Sequence, residues 1–275
     1  MYHDFESHTI TRRSFLKGAG AVGAAGLLAA CGGSSSSTAA SASSASSGAA
    51  ASGKGLSELF TYETSGREIE SWNILYSQQA IDFNVTTNII DGLVSFDNYG
   101  KPVPALAKSW EHNEDSTVWT FHLRDDVDWV DMNGEVQDHL TSKDFLVGFE
   151  WVLNAKKNQA ANTSMPSTTV VGAADYYDKT YAMDDAAAEA LTYDDMLAAG
   201  VGIDVPDDYT VVFTCLNPCP YFDTVASYVC CYPAPPALVE KLGVEGFRGV
   251  DYTQQWCCGP YLIEEFVADN SKRFI

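Results

Sequence analysis

Between Gly32 and Gly55 the chain is almost entirely serine, alanine and glycine. Such a stretch has too little apolar surface to offset the entropy of ordering its backbone, so it reads as a flexible tether. A compact fold is therefore confined to what begins at Leu56, enough for one sizeable core or two small ones. Hydrophobic residues make up 46% and aromatics 12% of the 275 residues, too many for a chain disordered throughout. Lys and Arg number 16 against 37 Asp and Glu, a formal charge of −21 with a pI near 4.3. A phosphate backbone needs clustered cations, so this balance argues against nucleic-acid binding. Mutual repulsion instead favours solubility. No run long enough for a transmembrane helix, about 18 apolar residues, occurs.

Ahead of the tether lie Thr11-Arg12-Arg13-Ser14-Phe15-Leu16-Lys17 and an apolar run from Ala19 to Ala30. A basic segment followed by a short apolar one is a secretory address, removed from the mature protein. The Arg12-Arg13 pair, with Phe15-Leu16-Lys17 behind it, resembles the twin-arginine export signal. Leu28-Ala29-Ala30-Cys31, followed by Gly32, resembles a bacterial lipobox, which makes residues 1–30 the signal peptide and Cys31 the lipidated first mature residue. Acyl chains there, palmitate among them, hold a protein to a membrane. Residues 31–55 are then lipid attachment plus tether.

The folded part alternates strand and helix signals. Leu59–Tyr62 reads as a first strand. Asp82–Ile90 reads as a helix with Asp82 as N-cap, ended by Gly92. Leu93–Phe96 is a short strand running into an Asp97–Gly100 turn. Trp110–Leu123 reads as a hairpin turning at His112–Asp115, with Trp119, Phe121 and Leu123 on one face. Asp131–Gly134 is another turn. Thr141 and Asp144 form a capping box for a helix whose Phe145, Phe149 and Val152 face the core. Residues 154–185 have little periodicity and read as a long loop or insertion. Tyr209–Cys215 is a strand, Pro233–Leu242 a short helix, and Tyr261–Val267 a final strand. The chain stops at Ile275 without a cap, so an incomplete domain is expected.

The order of these segments carries a resemblance. Asp91-Gly92-Leu93-Val94, Pro104 to Trp110, Trp119 to Arg124, Trp129 to Gly134, Ser142-Lys143-Asp144-Phe145, Asn217 to Phe222 and Gly259-Pro260-Tyr261 follow one another as in the family 5 extracellular solute-binding proteins. These are the oligopeptide-, dipeptide- and nickel-binding components of ABC importers. The resemblance runs from about Leu56 to the end. It implies an α/β, periplasmic-binding-protein-like fold of the three-lobe, type II cluster, in which a cleft closes on ligand by a hinge. By resemblance, residues 56–90 are the first part of a discontinuous domain I, 91–205 an inserted domain II and 206–275 the return to domain I. Domain III is absent from this chain, leaving at best half of the cleft.

The resemblance also implies a ligand site. In peptide-binding relatives the loop between the first strand and first helix pairs with the backbone of the bound peptide. Here that loop is Gln78-Gln79-Ala80-Ile81. The expected role is extracytoplasmic capture of peptides, at the outer face of the cytoplasmic membrane or in the periplasmic space, for delivery to ABC permease subunits. A nickel chelate or a glycan as ligand, and an envelope hydrolase, are the alternatives. No cofactor is implied, and no catalytic set, nucleophile elbow, Walker loop or HExxH motif occurs.

Six cysteines remain beyond Cys31: Cys215, Cys219, Cys230, Cys231, Cys257 and Cys258. Outside the cytoplasm disulfides are the expected state, with free thiols or a metal site as alternatives. The sequence leaves fifteen complete pairings open. A twin-arginine substrate crosses the membrane already folded, so any bridge must form after export. His122 reads as a strand residue. Asp126, Asp128, Asp131, Asn133 and Glu135 lack EF-hand spacing and read as an acidic turn.

Overall fold

The computed structural model describes residues 68–161 and 163–275. The predicted strand Leu59–Tyr62, the export pair Arg12 and Arg13, and Cys31 lie outside them. The principal sheet is antiparallel with strand order β3-β4-β8-β7, built from β3 (Ala107–His112), β4 (Val118–Leu123), β7 (Ile203–Asp207) and β8 (Thr210–Thr214). The β3–β4 hairpin follows the sequence reading, its turn held by the Asn113 Oδ1, which accepts the N–H groups of Thr117 (2.8 Å) and Val118 (2.9 Å). Alternation along β4 buries Trp119, Phe121 and Leu123, as period-two patterning requires. Phe213 of β8 meets Phe121 edge-on at 6.2 Å.

Helix α2 (Ser142–Leu153) covers the apolar face of this sheet, with Phe149 against Phe213 at 5.4 Å. Its start is the predicted capping box: the Thr141 N–H and hydroxyl both donate to Asp144 Oδ2, at 3.0 and 2.9 Å. A Cβ on Gly148 would stand 2.3 Å from the Tyr232 carbonyl, so only glycine lets the segment after the 3₁₀ turn Val229–Cys231 lie against α2.

Two-stranded ladders flank the sheet. They are β1 (Val94–Phe96) with β2 (Pro102–Pro104), β5 (Asp128–Val130) with β6 (Val136–His139), and β9 (Ile263–Val267) with β10 (Ser271–Phe274). Tyr261–Val267 is thus not the final strand. The Asn270 N–H donates to the Val267 carbonyl, and β10 folds back onto β9.

Two further readings are corrected. The first helix, α1, is Ala80–Thr86 with Gln79 as N-cap; Asp82 lies in its first turn and Ile89 and Ile90 beyond its end. Residues 154–185 are not a loop: they hold α3 (Ser164–Thr169), α4 (Ala173–Ala182) and the start of α5 (Asp185–Glu189), followed by α6 (Tyr193–Ala198). A single helix, α4, buries Ala173, Tyr176 and Thr180 at helical spacing, a stripe too small and polar to stand out as hydrophobic periodicity. After the short α7 (Phe222–Ala226) comes α8 (Pro236–Arg248), interrupted at Gly243 (φ 67°), where the predicted helix stopped one residue earlier.

Candidate functional site

The predicted ligand loop is part of a longer segment, residues 68–79, folded around one carboxylate. Asp82 is fully buried. It accepts from the Glu70 N–H (2.8 Å), the Ser71 N–H (3.1 Å) and the Ser77 hydroxyl (2.6 Å). Buried, charge-assisted bonds of this kind are the strong ones. Ser77 Oγ in turn accepts the Gln79 N–H at 3.1 Å. Asn73 Nδ2 donates to the Phe247 carbonyl at 2.8 Å, tying the segment to α8. Trp72 packs against Phe266 and Tyr252, with centroids 5.3 and 5.5 Å away. The sequence reading took Asp82 for a helix cap; it is the anchor of the segment before the helix.

This changes what the four predicted residues offer. Ala80 and Ile81 belong to α1, so they are not loop. Gln79 is the N-cap: its N–H is committed to Ser77, and its carbonyl accepts from the Asp82 and Phe83 N–H groups. Gln78 is exposed, and its main-chain N–H and carbonyl take no partner among the described residues. Of the four, it is the one whose N–H and carbonyl are both without a partner among the described residues.

Two residues before Gln78, the Tyr76 hydroxyl donates to Gln159 Oε1 at 2.8 Å. Gln159 also lines an open hollow of about 250 Å³ with Lys156, Tyr181, Asp185 and Glu189. Its charges are matched: Lys156 pairs with Asp185 at 2.8 Å and Arg248 with Glu189 at 3.2 Å. Gln159 and Ala160 both adopt positive φ, 49° and 61°. No sequence signal marked this hollow, because its walls come from a segment read as unstructured.

Below it lies a buried polar cluster. Lys157 Nζ reaches Glu150 Oε2 at 2.7 Å, while the Tyr176 hydroxyl and Asn154 Nδ2 both donate to Glu150 Oε1 at 2.9 Å. Burial, then the neighbouring Glu150, raise the Tyr176 pKa and keep the phenol protonated. Both oxygens of that carboxylate have donors, the condition under which a buried charge is tolerated.

Segments that carried the family resemblance meet one another. Trp129 Nε1 donates to Asp144 Oδ1 at 2.6 Å, joining two of them. Burial pushes the Asp144 carboxyl up to about 6, against the pull of the Thr141 and Trp129 donors. Leu106 and Ala107 N–H groups donate to the Gly92 and Leu93 carbonyls at 3.1 and 3.0 Å. Gly259 N–H donates to the Ile89 carbonyl at 2.8 Å, where a Cβ would fall 2.6 Å from the Ile89 carbonyl carbon. The acidic turn works in the same way: Asp131 Oδ1 accepts the Asn133 and Glu135 N–H groups at 2.8 and 3.0 Å. His122 sits on β4, 3.8 Å from Glu111.

All six cysteines Cys215, Cys219, Cys230, Cys231, Cys257 and Cys258 stand as buried thiols. Cys230 and Cys231 Sγ are 3.9 Å apart, against the ~2.0 Å of a bond. No group of three or more His, Cys, Asp or Glu suited to a metal occurs among the described residues.

The family model for bacterial extracellular solute-binding proteins, family 5 Middle, matches residues 101–274. The model for the twin-arginine translocation signal matches residues 9–29, in accord with the Arg12-Arg13 reading and with export to the cell envelope. The oligopeptide-binding protein AmiA of Streptococcus pneumoniae is 30% identical over 206 residues, which are 75% of this chain and 29% of AmiA. The periplasmic oligopeptide-binding protein OppA of Haemophilus influenzae is 31% identical over 76% of this chain and 35% of OppA. The crystal structure of Haemophilus influenzae OppA in complex with RPPGFSPFR aligns with a TM-score of 0.62 at 27% identity, over 76% of this chain and 36% of OppA. The substrate-binding domain of an oligopeptide ABC transporter from Bacillus anthracis shares the fold at a TM-score of 0.62 and 22% identity, over 77% of this chain and 36% of that one. The chain thus spans 29% to 36% of the length of these relatives. The fold is the mixed α/β, periplasmic-binding-protein-like one expected, present in part. The chain belongs to the bacterial extracellular solute-binding proteins of family 5.

Proposed function

We propose that this chain is the N-terminal portion of an exported receptor that captures oligopeptides and presents them to an ABC permease. The observation that carries this reading is the similarity to AmiA and OppA across three quarters of the chain, at 30% and 31% identity. The mechanism needs no bond chemistry. A peptide touching both walls of a cleft stabilises the closed form by its differential affinity alone. Gln78 supplies a free main-chain donor and acceptor for an extended peptide, the mode of an added strand. Gln79, Ala80 and Ile81 shape the wall behind it, and Asp82 holds the segment in place.

Residues 56–90 then form the first part of domain I. The inserted domain II runs from 91 past β8, because β8 lies between β4 and β7 and the expected boundary at 205/206 falls inside β7. Domain I resumes beyond β8. Lipidation at Cys31, with residues 32–55 as tether, would keep the receptor beside its permease at the outer face of the membrane.

Native mass spectrometry of the receptor containing this chain, purified from envelope extracts, tests the reading. Intact peptides released on denaturation are expected. Cleaved products, a metal chelate or a glycan in their place would refute it. A Gln78→Pro substitution removes the free N–H and is expected to weaken peptide affinity about fivefold, the worth of one hydrogen bond. Unchanged affinity would move the peptide elsewhere. Cys31→Ser is expected to abolish incorporation of labelled palmitate.

A further inference from the structure

We propose that Cys215 and Cys219 close a disulfide after export, by exchange with a disulfide-bearing oxidant outside the cytoplasm. Both side chains are buried at the end of β8, yet the Leu216, Asn217 and Pro218 between them are exposed. Their backbones are docked side by side. The Cys215 N–H donates to the Thr117 carbonyl at 2.7 Å and the Cys219 N–H to the Ser116 carbonyl at 3.0 Å. Both amides thus dock on consecutive carbonyls of the β3–β4 turn, with three residues between the two cysteines. The thiols already interact with one another.

The other cysteines are less well placed. Cys230 and Cys231 are adjacent in a 3₁₀ turn with their sulfurs 3.9 Å apart. Cys257 is pinned through its backbone to Val130, with N–H and carbonyl bonds of 2.7 and 2.9 Å. Its neighbour Cys258 faces Asp91. Cys231 is the rival partner for Cys215, since its thiol senses the charge of Cys215.

The route of oxidation runs through the surface side. Tyr221 is 60% exposed and its phenol interacts with the Cys219 thiol. The Cys219 thiolate attacks one sulfur of the oxidant and releases one thiol, leaving a mixed disulfide. The Cys215 thiolate then attacks the Cys219 sulfur and releases the second. The pair loses two electrons and two protons, and the oxidant becomes two thiols. Burial pushes the Cys215 thiol up to about 12, so closure is slow near neutrality and quickens with pH. A reducing cytosol leaves the pair open while the chain folds; an oxidising envelope closes it. The bond closes the 215–219 loop, whose two ends dock on the β3–β4 turn through backbone hydrogen bonds. The proposal rests on export and not on peptide capture, so either can fail alone.

The test is to incubate the purified chain with oxidised glutathione at neutral and alkaline pH, then alkylate it in denaturant and digest with chymotrypsin. Cleavage after Tyr221 and Tyr228 separates Cys219 from Cys230. The expected product is a segment holding Cys215 and Cys219, lighter by two hydrogens and unalkylated, forming several-fold faster at alkaline pH. The other four cysteines are expected to be alkylated. Cys215→Ser and Cys219→Ser are each expected to leave the remaining thiol of the pair alkylatable. A link from Cys215 to Cys231, or full alkylation of Cys215 and Cys219, would overturn the proposal.

Discussion

The principal sheet and the helical segment from Asn154 to Ala198 are held together by opposite means. The sheet rests on rings: Trp119, Phe121, Phe213 and Phe222 interlock with centroids 5.2 to 6.4 Å apart, and Phe149 of α2 closes over them. The helical segment is organised around one carboxylate. Glu150 gathers Lys157, Tyr176 and Asn154, and Asn154 Nδ2 also donates to the Ala188 carbonyl at 2.7 Å. Apolar packing is forgiving in direction and shared among many contacts. A buried ionic cluster depends on each member, since losing one leaves another charge without compensation.

Four measurements put the two modes of stabilisation to the test. Phe121→Ala removes a ring from the centre of the sheet and is expected to cost about 4 kcal/mol in urea unfolding, through lost transfer energy and the cavity left behind. A cost below about 1 kcal/mol would mean the ring cluster does not hold the sheet. Lys157→Met strands Glu150 and is expected to cost about 3 kcal/mol. The double variant Lys157→Met/Glu150→Gln is expected to regain much of that loss. If the double variant is as unstable as the single, the ion pair does not organise these helices.

Asp82→Ala leaves the Glu70 and Ser71 N–H groups and the Ser77 hydroxyl without their acceptor. The expected cost is about 2 kcal/mol, with faster hydrogen exchange confined to residues 69–79. Protection unchanged there would remove Asp82 from its role as anchor of the candidate site.

The smallest effect is the acid response of Asp144. Its folded value of about 6 lies above the ordinary range of an aspartate carboxyl, so the native state binds this proton more tightly than the unfolded one. Stability from this group is therefore gained as pH falls through 6 towards 4, and is absent above neutrality. Measured against Asp144→Asn, the native protein is expected to gain about 1 kcal/mol between pH 7.5 and pH 5. Relative loss on acidification would contradict the burial of a raised carboxyl.

The same contrast explains what was legible before folding was considered. Phe121 and Phe213 announce strands because a half-buried strand alternates with a period of two. Thr141 and Asp144 announce α2 because capping is a local interaction over three residues. Segment 154–185 stayed silent because α4 buries an alanine, a tyrosine and a threonine, whose fit depends on Glu150 from another helix. A local signal for α6 was nevertheless present: the Thr192 N–H and hydroxyl donate to Asp195 Oδ2 at 2.8 and 3.1 Å, a second capping box. In the candidate site, the position of the loop was legible through resemblance. That Gln78 keeps both its N–H and its carbonyl unpartnered among the described residues was not, since it depends on where α1 begins and on Ser77 reaching Asp82.

The export signal, the main strands, α2 and the family were set by the sequence, because those depend on local patterning and on ordered motifs. The three-dimensional structure decided that Asp82 is an anchor, that residues 154–198 hold helices, and that the Cys215 and Cys219 amides dock on one turn. Each of these depends on partners brought together from distant parts of the chain, and no spacing along the sequence encodes a distance in space.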